Sequence, residues 1–62
     1  MKLSIITFKL ICSCWNEPQE ILEDKDYLQK TIDYININGY LNYTKQEQET
    51  AKKEINQLIK TL

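Results

Sequence analysis

Histidine and arginine are both missing from the 62-residue chain, and glycine and proline occur once each. Each scarcity removes a class of function. Without histidine no side chain titrates unperturbed near neutral pH, and neither a Ser-His-Asp nor a Cys-His nucleophile can be assembled. Without arginine the chain lacks the guanidinium fork that grips guanine and phosphate bidentately. Its eight lysines against nine acids leave a net charge of −1, not the basic excess of a nucleic-acid binder, so nucleic acid is not an expected partner. The single glycine, Gly39, excludes every Gly-rich phosphate loop. The carboxylates offer no catalytic pair, because one short core leaves little room for a substrate cleft. No catalytic residue, cofactor or metal site is expected, and the chain reads as a non-enzyme.

What remains is a 7.4 kDa chain, 42% hydrophobic, which fits one small domain over residues 1–62. Ordering each residue costs roughly 1.5 kcal/mol of conformational entropy, and a core this small barely offsets it. Chains of this size often need a disulfide framework, a metal or a second copy of themselves. With two cysteines and no histidine, self-association is the leading expectation.

The most apolar stretch runs from Leu3 to Trp15. With Lys9 in its middle it is too short for a spanning helix, which needs about 20 residues, so no membrane is expected. Met1-Lys2 resembles a short basic leader start, and Ile11-Cys12-Ser13-Cys14 loosely resembles a lipobox with Cys14 as the lipidated residue. Lys9 and Cys12 do not suit that pattern, so a cytoplasmic location is the expectation.

Ile5, Ile6, Thr7 and Ile11 are β-branched and Phe8 is aromatic, which favours a strand over about 3–12. Apolar residues fall on both parities, so periodicity does not decide. A lone strand has no ladder for its backbone groups. It is therefore expected to pair across a homodimer, with Ile5, Ile6, Phe8 and Leu10 at the seam. In such a strand Cys12 and Cys14 point the same way. Two copies would then bring four sulfurs together, as zinc requires, but burial as small apolar residues is the plainer reading.

The remainder reads as helix. Asn16, Glu17 and Pro18 suit a helix start, and Ile21, Leu28, Ile32 and Ile35 share one sector of a helix over about 18–37. Asp24-Lys25-Asp26 could break it, with Asp24 capping a second piece. Asn38-Gly39 ends it, or alternatively makes a hairpin turn. Thr44 and Glu47 form a capping box for a last helix over about 45–61, with Ala51, Ile55, Leu58, Ile59 and Leu62 as its apolar stripe. Its first half, Lys45 to Thr50, is polar all round and is expected to project into water, with Glu49 spaced to pair with Lys53. The fold class is therefore α+β, a β-α-α unit completed by a second copy.

Residues 17–26 carry five acids against Lys25. They are either a solvated helix start or a negative patch for a basic partner surface. Phe8 and Tyr34 are expected in the core. Trp15, Tyr27, Tyr40 and Tyr43, with Glu17, Glu20 and Asp24, are the candidate partner-binding residues, because tyrosine and tryptophan bury large areas while keeping one polar contact. Truncating Trp15 or Tyr40 is expected to leave the fold mostly intact and to weaken partner binding.

Frequent isoleucine, lysine and asparagine with no arginine suggest an AT-rich genome. In size and character, across its whole length, the chain resembles phage-encoded small anti-defence proteins, including inhibitors of the Hachiman system. No motif matches residue by residue, so no functional position transfers. The resemblance implies a compact dimer that docks on a larger host protein in the host cytoplasm and inhibits or modulates it. The alternative is a DNA-binding regulator, since a strand followed by two helices is the layout of ribbon-helix-helix repressors. The sequence departs from that layout by lacking alternating polar readers along the strand and by opening its first helix with acids.

Overall fold

A computed structural model describes residues 3–62, the side chain of Pro18 excepted. The Met1-Lys2 start of the conjectured leader lies outside the described residues. Four helices follow one another: α1 (Ile5–Cys14), α2 (Pro18–Ile21), α3 (Lys25–Asn38) and α4 (Lys45–Thr61). There is no strand among the described residues. The α+β class, the strand over 3–12 and the strand-paired homodimer are overturned.

The reason lies in Thr7. Counted as polar, it hides a helical stripe in which Thr7, Leu10 and Ile11 are buried and Leu3 and Cys14 are half-buried, at the spacing of one helix face. Ile5 and Phe8 lie on the outer side, 73% and 40% exposed, and mimic the second apolar face of a strand. Helix propensity costs a β-branched residue only about half a kcal/mol, which packing overrides. A helix also closes its own backbone hydrogen bonds, so residues 5–14 need no partner strand. Leu10, expected at a dimer seam, is fully buried within the chain. Without a two-stranded ribbon, the ribbon-helix-helix alternative loses its reading element.

The helix expected over 18–37 is two helices, divided at Asp24. The Asp24 carboxylate accepts from the N–H groups of Asp26 (3.0 Å) and Tyr27 (3.4 Å) and so caps α3. At the start of α2 the cap position falls to Glu17, whose carbonyl accepts from Glu20 and Ile21, and not to Asn16. Gly39 closes α3 with its N–H on the Ile35 carbonyl at 2.8 Å. Its φ of 69° and ψ of −174° lie outside the ordinary left-handed well, in a region that only glycine occupies readily. Thr44 and Glu47 form the reciprocal capping box of α4.

The long α4 is the shared wall, packing against both α3 and α1, while α2 bridges α1 and α3. One core cluster joins Ile11, Ile21, Leu28 and Ile55, with Trp15, Ile32, Leu58 and Ile59 at its margin. A second joins Leu10, Ile35 and Ala51, closed by Cys14, Tyr40 and Tyr43. Burying an aliphatic side chain of this kind stabilises by about 1.5–3 kcal/mol. Leu62, expected in the α4 stripe, is 46% exposed. The first half of α4 does not simply project into water either. The Gln48 amide donates to the carbonyls of Tyr40 and Tyr43, both at 3.0 Å, and holds the α3–α4 turn. Glu49 pairs with Lys52 at 2.8 Å, one residue short of the expected Lys53.

Candidate functional site

The seven candidate partner-binding residues divide into two groups. Trp15, Glu17, Glu20, Asp24 and Tyr27 line one surface cleft of about 360 Å³, formed where α1 ends, α2 bridges and α3 begins. Tyr40 and Tyr43 lie in the turn between α3 and α4. Their rings meet edge to face at 4.8 Å, and both hydroxyls are engaged: Tyr40 donates to Ser13 Oγ at 2.8 Å and Tyr43 to the Ile6 carbonyl. Burial and the neighbouring Tyr40 and Glu47 push the Tyr43 phenol above its usual range. These two tyrosines peg the turn against α1, which makes them structural members of the second core cluster.

The cleft has an aromatic wall and an acidic floor. Trp15 and Tyr27 meet edge to face, with ring centres 4.7 Å apart. Trp15 Nε1 donates to the buried Thr31 hydroxyl at 2.8 Å, and that hydroxyl donates in turn to the Tyr27 carbonyl at 2.8 Å. The indole is therefore fixed in orientation and held in the fold. Truncating it would remove a core margin, contrary to the expectation that Trp15→Ala or Tyr40→Ala leaves the fold intact. Tyr27 is the more available ring, 37% exposed, with Lys30 Nζ 5.0 Å from its centre.

The acids contribute unequally. Asp24 is committed to its cap. Glu17 and Glu20 are exposed, and the Glu20 carboxyl is pushed above its usual range by a hydrogen bond to Glu17, by the Glu17 charge and by slight desolvation. The described residues place no lysine in an ion pair with either of them. This corner of the molecule is a concentration of uncompensated negative charge beside an oriented indole.

On the other side of Trp15, a second cleft of about 430 Å³ runs between Ser13, Cys14, Lys30, Tyr34 and Tyr40. Tyr34, expected in the core, is 49% exposed here. Cys14 is half-buried, and burial raises its thiol above the usual range, which makes it a poor nucleophile. Cys12 is exposed. In a helix, residues two apart point to nearly opposite sides, so the paired sulfurs of a strand do not arise and the four-sulfur site across two copies has no basis.

The expected seam residues also separate. Leu10 faces inward, Ile6 is half-buried, and Ile5 and Phe8 face outward over an apolar groove of about 640 Å³ between α1, Leu22 and Leu58. Sequence reasoning missed two residues that organise the fold from a distance, Gln48 and Glu54. Their amide and carboxylate contacts lie across the tertiary structure, and nothing local in the sequence announces them.

No helix of the described residues is long and apolar enough to cross a membrane. No protein-family model matches the chain, and neither a curated protein nor a solved structure is significantly similar to it.

Proposed function

We propose that this chain acts by binding a larger protein, and that the cleft between Trp15 and Tyr27, floored by Glu17, Glu20 and Asp24, receives a basic and apolar segment of that target. One observation carries the reading: five of the seven residues singled out from sequence as contact residues line one cleft, where the short α2 and its two junctions with α1 and α3 fold together. An oriented indole and an exposed phenol supply rigid contact area at small entropic cost, and unpaired carboxylates favour a lysine or arginine from the partner. The absence of histidine and of an Arg-based anion site supports binding over catalysis.

Inhibition or modulation of a host protein, in the manner of phage-encoded anti-defence factors acting in the host cytoplasm, is the biological role this reading favours. The test is capture of the target from a bacterial lysate by the tagged chain, compared with Tyr27→Ala and Glu20→Lys. Both side chains are exposed, so both variants are expected to remain helical by circular dichroism and to lose the captured protein. Expression of the chain in cells carrying a defence system is expected to raise phage plating, and the variants are expected not to. Equal capture by the wild type and both variants contradicts the site.

A further inference from the structure

The outer face of α1 carries a different arrangement. Ile5 and Phe8 stand exposed on it, and with Leu3, Leu22 and Leu58 they form the walls of the apolar groove. Among the described residues, Lys9 is the one charged residue lining that groove. Phe8 also borders a second, smaller notch, whose other walls are Glu17, Gln19 and Glu20. Phe8 is thus the hinge of a patch with an apolar centre, one cation on its groove side and two unpaired carboxylates on its notch side.

A surface of this kind complements itself. Under a two-fold axis every contact occurs twice, so a patch that carries both signs about an apolar centre can face its own copy. We infer that a second copy of this chain docks on the outer face of α1 about a two-fold axis beside Phe8, with Lys9 of each copy against Glu17 and Glu20 of the other. The apolar residues supply the adhesion. The exposed charge pairs supply register and orientation more than affinity. A lysine brought to the Glu17–Glu20 pair also relieves the repulsion that these two acids otherwise hold between themselves. The geometry is helix on helix, distinct from strand pairing, and it requires no rearrangement of the core. Glu17 and Glu20 border both clefts. In the dimer their Phe8 side is covered, and the Trp15–Tyr27 side stays open for the target.

The experiment uses the full chain in reductant, so that exposed Cys12 cannot crosslink copies, and reads mass by sedimentation at micromolar concentration. Wild type is expected to be a dimer that weakens with added salt. Lys9→Glu is expected to weaken association about tenfold or more, because like charges then face each other. A second variant, Glu17→Lys with Glu20→Lys, is expected to be weakened at least as much. Mixing the two restores opposite charges at both contacts, and the mixture is expected to dimerise. All the altered side chains are exposed, and circular dichroism checks that the helices persist. A monomeric wild type overturns the inference, as does a Lys9→Glu chain that associates as tightly as wild type, or a mixture that associates no more tightly than either variant alone. The reading of the target site stands or falls separately, through Tyr27→Ala, which leaves this patch untouched.

Discussion

Glu54 of α4 caps the entry to α1 from fifty residues away: its Oε1 accepts from both the backbone N–H and the hydroxyl of Ser4, each at 2.9 Å. Ser4 is the cap residue of α1 but makes no side-chain cap of its own. Its hydroxyl turns to Glu54 and lies 3.1 Å from the Thr7 hydroxyl. A carboxylate at a helix N-terminus also meets the positive end of the helix dipole. Burial alone would push the Glu54 carboxyl up, but the Ser4 N–H, Thr7 and the Ser4 hydroxyl together hold it below the usual range.

Glu54→Gln should therefore destabilise the fold by about 1–2 kcal/mol, since the amide oxygen can still accept from Ser4 but the charge assistance of these bonds is lost at a half-buried site. The pH dependence has a definite sign. A carboxyl lowered by folding contributes stability in full above its unfolded value, about pH 4.3, and loses it as the pH falls through the lower folded value. Urea midpoints of wild type and Glu54→Gln should differ at neutral pH and converge in strong acid.

Gly39→Ala is expected to cost about 1–3 kcal/mol through backbone strain. A Cβ placed there would lie 3.6 Å from Gln48 Oε1, an ordinary contact, so crowding is not the cause. Gly39→Asn should cost nearly as much, because ψ of −174° is outside the left-handed well that asparagine tolerates. Thermal melts distinguish this from a common helix end, where asparagine would rescue most of the loss.

Gln48→Ala removes both hydrogen bonds to the turn carbonyls and should cost about 1–2 kcal/mol. The loss should be local first. Amide exchange of residues 40–43 is expected to accelerate before that of the α3 and α4 centres. Uniform acceleration across the chain would show that Gln48 is not a staple of the turn.

How much of this was legible in the sequence depends on the range of the interaction. The Thr44–Glu47 box and the Asp24 cap are written within a few residues of each other, so the starts of α4 and α3 can be read directly. The end of α3 at Gly39 is legible for the same reason. α1 is misread as a strand because its inward face includes Thr7 and its outward face includes Ile5 and Phe8, which blurs the helical period. Tyr34 and Phe8 are apolar enough to be placed in the core, yet each lies off the buried stripe of its helix, which is Leu28, Thr31 and Ile35 in α3 and Thr7, Leu10 and Ile11 in α1. The acids and Trp15 point toward the cleft because they cluster in sequence. The exclusion of Tyr40 and Tyr43 from it follows from hydroxyl partners on α1, Ser13 and Ile6, which no local pattern reveals.

Trp15→Phe keeps the aromatic contact with Tyr27 but removes the donor to Thr31, a residue that is 1% exposed. The Thr31 hydroxyl then keeps its donation to Tyr27 but loses its own donor. A cost of about 1–3 kcal/mol is expected, with the helical circular dichroism signal retained. A neutral outcome would mean that the indole N–H is not what orients the ring.

The direct test of the proposed docking site is hydrogen exchange of the chain alone and in complex with its captured target. Strong added protection is predicted for the amides of residues 15–27, with the 39–44 turn unchanged. Protection centred on the 39–44 turn, or none within 15–27, would contradict the account.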